Sequence, residues 1–314
     1  MKRVVIVGHQ GQDGSLLYDL LQKKGYSLIG IEQTSVSGTD TEWDEPIDIS
    51  DTGAVLRFIG DVKPDELYYL AAFHHSSEDN TPDNIILMKE SYKINVASLV
   101  NFLDALARTS PKTRLFYAAS SHIFGDTDTV FQDESTPINP NCIYGMTKAL
   151  GLFSCRYYRN NYSLFTSVGI LYNHESPLRR GTFVSQKIIK GAVNIKQKKQ
   201  EKLILGDLSA EIDWGYAPDY VDAMERMLNS HEPDDFIIAT GKKHTVRDFV
   251  KTTFEYLNLD WKEYIEENKY VIKKKNVCRI GNSAKLKQVT GWQPSVDFDE
   301  MIRLLIAAEI KLNG

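Results

Sequence analysis

The chain has 314 residues, 42% hydrophobic and 25% charged, which suffices for a large buried core in one or two domains. Its net charge of -5 and pI near 5.9 argue against a nucleic-acid partner, and no apolar run reaches the roughly 18 residues that a membrane span needs. Cys142, Cys155 and Cys278 are odd in number and far apart, so they suit neither a metal site nor a disulfide frame and point to the reducing cytoplasm.

The run KRVVIVG is β-branched, apolar and closed by a glycine, and it predicts a strand. It lacks the small-residue cleavage site of a leader peptide. Gly8, Gly11 and Gly14 follow in GHQGQDGSLL, and residues 14–24 place Leu16, Leu17, Leu20 and Leu21 on one face of a helix that Gly25 stops. A glycine turn between strand and helix lets backbone approach a pyrophosphate, which the helix N-terminus then holds. Gln12 and Asp13 stand inside that turn as further cofactor candidates. The second strand, SLIGIE, ends in Glu32. An acid there accepts hydrogen bonds from ribose hydroxyls and repels a 2′-phosphate, and Gln33 and Thr34 supply no cation, so NAD is expected over NADP. Asp48 in IDIS reads either as a contact to the adenine end or as a turn aspartate.

A helix over 51–60 leads to ELYYLAA, a strand whose end carries Leu70, Ala71 and Ala72 at the expected cofactor. A helix over about 90–108 leads to RLFYAAS, and Ser120 and His122 follow in AASSHIFG. Tyr144 and Lys148 in YGMTK are four apart, which sets them one turn apart on one face of a helix over 144–160. An ammonium beside a phenol favours phenolate, so Lys148 is expected to draw the Tyr144 pKa from about 10 toward neutrality. Tyr144 then becomes a base that removes an alcohol proton while hydride leaves the same carbon.

FTSVGILY is a further strand. Strands alternating with helices predict an α/β fold, a Rossmann-type doubly wound parallel sheet covered on both faces. After about residue 172 the alternation loosens into a loop, a helix over 183–197, a short strand in KLILGD, a helix over 219–229, the run DFIIAT, and helices over 245–257 and 297–312. The expected division is 1–172 for the NAD-binding part with the catalytic residues and 173–314 for a smaller, interleaved lobe.

The combination GxxGxxG, LAA, SS before HIFG, and YxxxK resembles the extended short-chain dehydrogenase/reductase superfamily over essentially the whole chain. GQDGSLL, GILYNHESPLRRGTFVSQKI, ILGDL with DWGYAPDYVDAM, and FIIATGKKHTVRDFV are similar to GDP-mannose 4,6-dehydratases. That resemblance implies that Tyr144 deprotonates a sugar C4 hydroxyl, that Lys148 holds the nicotinamide ribose, and that Ser120 hydrogen-bonds the C4 oxygen. It makes the lobe a nucleotide-sugar site, with Asn173 and Lys187 near the phosphates and Arg179 and Arg180 on a loop that, in the dehydratases, reaches a neighbouring subunit. Arginines of the family's pattern are replaced by Ile212 and Pro218, and Arg279 is a candidate compensating cation. One of His74 and His75 matches a histidine of the family.

Two departures carry weight. Where the dehydratases hold the Glu that takes the C5 proton and helps to expel water, this chain has His122, and neither Ser121 nor Ile123 supplies a carboxylate. Where they hold arginines for NADP, it reads GIEQTS. The expectation is an NAD-dependent enzyme that oxidises C4 of GDP-mannose or GDP-manno-heptose to the 4-keto sugar, for surface polysaccharides. The alternatives are a 4,6-dehydratase with His122 as base, a 4-epimerase or 4-ketoreductase, and a non-catalytic NAD or nucleotide-sugar sensor. The resemblance also implies a homodimer or homotetramer built through the helices over 90–108 and 144–160, where LVNFLDALA and LGLFSCRYY are apolar.

Overall fold

The inner strands of the central sheet alternate their side chains between two apolar layers, as a strand buried on both faces requires. The computed structural model describes residues 1–32, 36–39, 46–73, 83–268 and 278–313; Gln33, Thr34, His74 and His75 lie outside them. The first part of the chain runs β1 (Arg3–Val7), α1 (Gln12–Lys23), β2 (Ser27–Ile31), β3 (Val36–Gly38), α2 (Thr52–Val62), β4 (Glu66–Tyr69), α3 (Asn84–Tyr92), a π-helical turn (Lys93–Ala97), α4 (Ser98–Thr109), β5 (Arg114–Ser120), a 3-10 turn (Ser121–Phe124), β6 (Phe131–Gln132), α5 (Ile143–Tyr162) and β7 (Thr166–Leu171). The second part runs β8 (Asn173–Glu175), α6 (Val184–Lys196), β9 (Leu203–Leu205), β10 (Glu211–Tyr216), α7 (Ala217–Leu228), β11 (Asp235–Ile238), β12 (Lys243–Thr245), α8 (Val246–Tyr256), α9 (Trp261–Tyr264), β13 (Ile265–Glu267), β14 (Ile280–Gly281), α10 (Ala284–Thr290) and α11 (Phe298–Asn313).

The seven-stranded sheet has the order β11-β7-β5-β4-β1-β2-β3. Its pairings are parallel except for β3, which runs antiparallel to β2 at the edge. The order reverses between β1 and β4, and this switch point at the carboxyl ends of the strands is where such sheets bind ligands. Val5, Val7 and Tyr69 face one layer with Phe58, Phe102 and Leu152, while Val4, Ile6 and Tyr68 face the other with Leu17, Tyr220 and Met224. A third cluster, Ile188, Leu205, Trp214, Phe249 and Ile302, forms the core of the smaller lobe.

The run DFIIAT forms β11 and pairs with β7 at Val168↔Asp235, so the chain returns to the central sheet after α6 and β10. Two expectations need revision. The helix expected over 90–108 is three consecutive pieces, because at Lys93–Ala97 the hydrogen bonding widens by one residue. The apolar residues of LVNFLDALA are consumed by the core: Leu99, Phe102, Leu103 and Leu106 are fully buried, and the exposed apolar side chains lie instead on α3, at Ile85, Ile86 and Tyr92.

Candidate active site

The glycine loop is shaped by contact. Gly8 has φ +87, and a Cβ there would lie 2.8 Å from the Ala71 backbone nitrogen, so Leu70 and Ala71 form the floor beneath the loop. A Cβ at Gly14 would lie 2.3 Å from the Gly8 carbonyl oxygen, so only glycine lets α1 begin this close to β1. Gly11 is the N-cap of α1 and offers no capping side chain, which leaves the first-turn amides for a ligand. Glu32 follows β2 directly and is half-buried. These residues fit a dinucleotide: a bare helix N-terminus for the pyrophosphate and an acid at the end of the second strand for a ribose. Ala72 is exposed beyond the floor. Asp48 is a turn aspartate: it is exposed, residues 46–48 form no strand, and its carboxylate accepts from the Ser50 amide at 2.9 Å and hydroxyl at 2.7 Å. Those bonds hold its pKa below the usual carboxylate value.

The side chains of Gln12 and Asp13 turn toward the second part of the chain. Gln12 Nε2 donates to the His174 carbonyl at 3.2 Å and to Asp13 Oδ1 at 3.1 Å, and Ser176 Oγ donates to Gln12 Oε1 at 2.9 Å. His174 Nε2 lies 3.0 Å from both Asp13 carboxylate oxygens. Burial pushes the Asp13 carboxyl up, but the charge and hydrogen bond of His174 outweigh it and bring the pKa to about 2. Nothing in the spacing of the sequence marks His174 as a partner of Asp13, from which 161 residues separate it.

Ser120 ends β5 and caps the 3-10 turn, its hydroxyl accepting from the His122 amide at 3.3 Å. Cys142 caps α5 in the same way, its sulfur accepting from the Gly145 amide at 3.4 Å. The two caps bring Ser120, His122, Tyr144 and Lys148 together. The Ser120 hydroxyl hydrogen-bonds with the Tyr144 phenol. The His122 ring meets Tyr144 edge-on, centroids 5.8 Å apart, and its Nδ1 lies 3.8 Å from Cys142 Sγ. Lys148 Nζ donates to the Ala118 carbonyl at 2.7 Å and stands 5.7 Å from the Tyr144 ring centre.

The expected pKa of Tyr144 is corrected. Burial pushes its phenol up to about 12, against the downward pull of Arg179 and of the Ser120 hydrogen bond. Burial also pushes Lys148 down to about 7, with Asp13 opposing. A desolvated amine is a weak source of positive charge, so the lysine cannot by itself make a phenolate here. A base at Tyr144 therefore needs further positive charge in the site.

Asn95 was not marked by any pattern in the sequence. It sits fully buried in the π-helical turn. Its amide nitrogen donates to Thr147 Oγ1 at 2.9 Å and its carbonyl accepts from the Phe73 amide at 2.8 Å, which ties the end of β4 to the helix that carries Tyr144. Tyr69 donates to the Ile94 carbonyl at 2.5 Å. Widened turns of this kind recur at functional sites.

Among the residues expected to meet a substrate, Asn173 opens β8 at the register of Trp214, and Lys187 lies half-buried in the first turn of α6. Arg179 folds back into the fold: its guanidinium stacks 3.7 Å over Phe183 and pairs with Glu175 at 3.6 Å, and its charge is felt at Tyr144. Arg180 stays exposed. Arg279 Nε donates to the Gly125 carbonyl at 3.1 Å, at the end of the turn that carries His122. Asp213 in DWG is a buried structural carboxylate that accepts from the amides of Thr240, Gly241 and Gly281. Among the described residues, no cluster of His, Cys, Asp or Glu could hold a metal ion.

A doubly wound sheet, a glycine loop at its switch point and a Ser–Tyr–Lys set at the end of β5 define an extended short-chain dehydrogenase/reductase. The family profile described as GDP-mannose 4,6 dehydratase matches residues 5–305. GDP-mannose 4,6 dehydratase 2 of Arabidopsis thaliana is 35% identical over 334 residues, covering 99% of this chain and 87% of that protein. The GDP-mannose 4,6 dehydratase of Homo sapiens is 31% identical, covering 98% and 91%. The chain belongs to the GDP-mannose 4,6-dehydratase family. Among solved structures, a UDP-glucose 4-epimerase from Thermotoga maritima superposes with a TM-score of 0.85 at 20% identity, covering 99% of this chain and 100% of that one. A dTDP-glucose 4,6-dehydratase from Bacillus anthracis superposes with a TM-score of 0.82 at 19% identity, covering 99% and 97%. At these identities the two structures speak for the fold.

Proposed function

We propose that this chain uses NAD to oxidise C4 of a GDP-mannose-type sugar nucleotide, GDP-mannose or GDP-manno-heptose, to the 4-keto sugar, and that it stops before water is expelled. The C4 alcohol gives its proton to Tyr144 and its hydride to the nicotinamide, while Ser120 holds the C4 oxygen. Family membership and relatives named for GDP-mannose support the substrate class. Glu32 supports NAD over NADP.

The observation that carries the reading is His122. It lies edge-on to Tyr144, at the sequence position where the resemblance to the dehydratases implies a carboxylate, and the carboxylate whose charge reaches Tyr144, Asp13, is bound to His174. The second reading, dehydration with His122 as base, rests on the same proximity. The test is incubation with each GDP-sugar and NAD, followed by mass spectrometry and absorbance. Oxidation alone removes two hydrogens and leaves one NADH per sugar; dehydration removes one water and leaves no net NADH. Loss of water refutes the proposal. Tyr144→Phe is expected to bind NAD and form no keto sugar; as a sensor, the protein would form none even as wild type.

Two copies are proposed to pair through α3 and α5. Met146, Leu150, Phe153 and Tyr157 are each 40–55% exposed in a stripe along α5, beside the exposed Ile85, Ile86 and Tyr92 of α3, and an apolar patch of this kind marks an interface. Among the described residues, no helix is long and apolar enough to cross a membrane, and a cytoplasmic site of action fits the three free cysteines.

A further inference from the structure

Asp13 places a carboxylate in the first turn of α1, beside the amides that suit a dinucleotide diphosphate. An uncompensated negative charge there opposes a bound diphosphate, because like charges at close range in a partly buried site repel strongly. The opposing charge comes from β8, distant in sequence but adjacent in space. His174 Nε2 lies 3.0 Å from each Asp13 oxygen, and its Nδ1 lies 2.6 Å from the Tyr172 carbonyl oxygen. A carbonyl and an ionised carboxylate only accept, so the ring has to donate from both nitrogens, and a histidine that does so is an imidazolium. The ring is buried and stacked on Tyr220, centroids 4.6 Å apart and 22° between planes, which leaves it little freedom to turn away. Gln12 and Ser176 brace the contact. The nearby cation, Arg179, is paired with Glu175 at 3.6 Å.

We propose that His174 is a positioning residue for the dinucleotide: its imidazolium cancels the Asp13 charge next to the diphosphate-binding amides, so that the electrostatics of the cofactor loop are completed from the segment that opens the substrate lobe. The inference rests on the dinucleotide reading of the loop and extends it to a residue far from the glycine pattern. It also accounts for an otherwise unfavourable choice, a carboxylate beside a phosphate site.

The test is calorimetric NAD binding to the wild type, His174→Gln, Asp13→Asn and the Asp13→Asn/His174→Gln double variant. His174→Gln is expected to weaken NAD binding about tenfold, a loss of about 1.4 kcal/mol. The double variant is expected to return to within about threefold of the wild type, because an amide carries no charge to cancel. A purely structural role for His174 predicts the opposite, a double variant no tighter than His174→Gln, and that result overturns the proposal. So does His174→Gln binding NAD as tightly as the wild type. Should His174→Gln not fold, the double variant is compared with Asp13→Asn alone: near-equal affinities support the charge role, and a loss of about tenfold or more refutes it. A wild-type protein that binds no NAD overturns the dinucleotide reading itself, separately from the pairing.

Discussion

A single methyl group at Gly14 tests whether the glycine loop is spaced by contact with α1. In Gly14→Ala the new Cβ would stand 2.3 Å from the Gly8 carbonyl oxygen, 2.5 Å from His9 Cα and 2.7 Å from the His9 carbonyl carbon. All three are backbone atoms, so no side-chain rotation relieves the overlap and either the loop or α1 has to move. Overpacking of this kind costs about 1–3 kcal/mol. A chain of 314 residues has a melting entropy of roughly 660 cal/mol/K, so the cost lowers Tm by about 1.5–4.5 °C. The larger effect is expected on the cofactor, since the displaced atoms belong to the proposed dinucleotide loop: NAD affinity should drop about tenfold or more, a loss of at least about 1.4 kcal/mol. Gly25→Ala is the control. It has φ +77 and no atom within 4 Å of the added Cβ, so it pays only about 1–2 kcal/mol of left-handed strain and leaves NAD binding unchanged. Differential scanning calorimetry and NAD titration read both. Unchanged Tm and unchanged NAD affinity in Gly14→Ala would refute the reasoning, as would an equal loss of affinity in Gly25→Ala.

Two further predictions concern the groups around Tyr144. Asn95→Ala strips the Phe73 amide and the Thr147 hydroxyl of a buried partner and should cost about 1–3 kcal/mol, with faster hydrogen exchange at the Phe73 amide; unchanged exchange there would show that Asn95 does not hold the end of β4. For Lys148 the folded pKa of about 7 lies below the ordinary 10.5, so between those values the unfolded chain binds more protons and stability rises with pH. In the cofactor-free protein, Tm should therefore climb relative to Lys148→Met as pH goes from 7 toward 10. Parallel Tm curves would contradict the buried, uncharged lysine. The slope is the readout, since losing the Ala118 bond shifts the variant by a constant.

The strands β1, β2, β4, β5 and β7 were legible because each is an apolar run with a turn residue at its end, and the glycine loop because its spacing falls between such a strand and a leucine-faced helix. Helix α5 was legible too, and with it the pairing of Tyr144 and Lys148. What that spacing could not carry was desolvation: four residues of separation say that two groups are neighbours, while the pKa values follow from everything else packed around them. The π-helical turn at Lys93–Ala97 was hidden for a similar reason, since SYKINVASLV reads as unbroken helix and the widened turn is held by Tyr69 and Thr147 from elsewhere in the chain. DFIIAT was legible as a strand but not as a member of a particular sheet, because its apolar residues fit either core. His174 escaped notice because its partner lies at the other end of the Rossmann part.

The position of β11 has a consequence for how the molecule is made. When the ribosome has released β7, the growing sheet ends in an unpaired edge, and an open edge invites pairing with other chains. The strand that covers it is not the next one synthesised: β8, α6, β9, β10 and α7 come first, and only then does Asp235 reach Val168. The smaller lobe is thus begun before the sheet is sealed, and a nascent chain halted between residues 171 and 235 would leave that edge of β7 open.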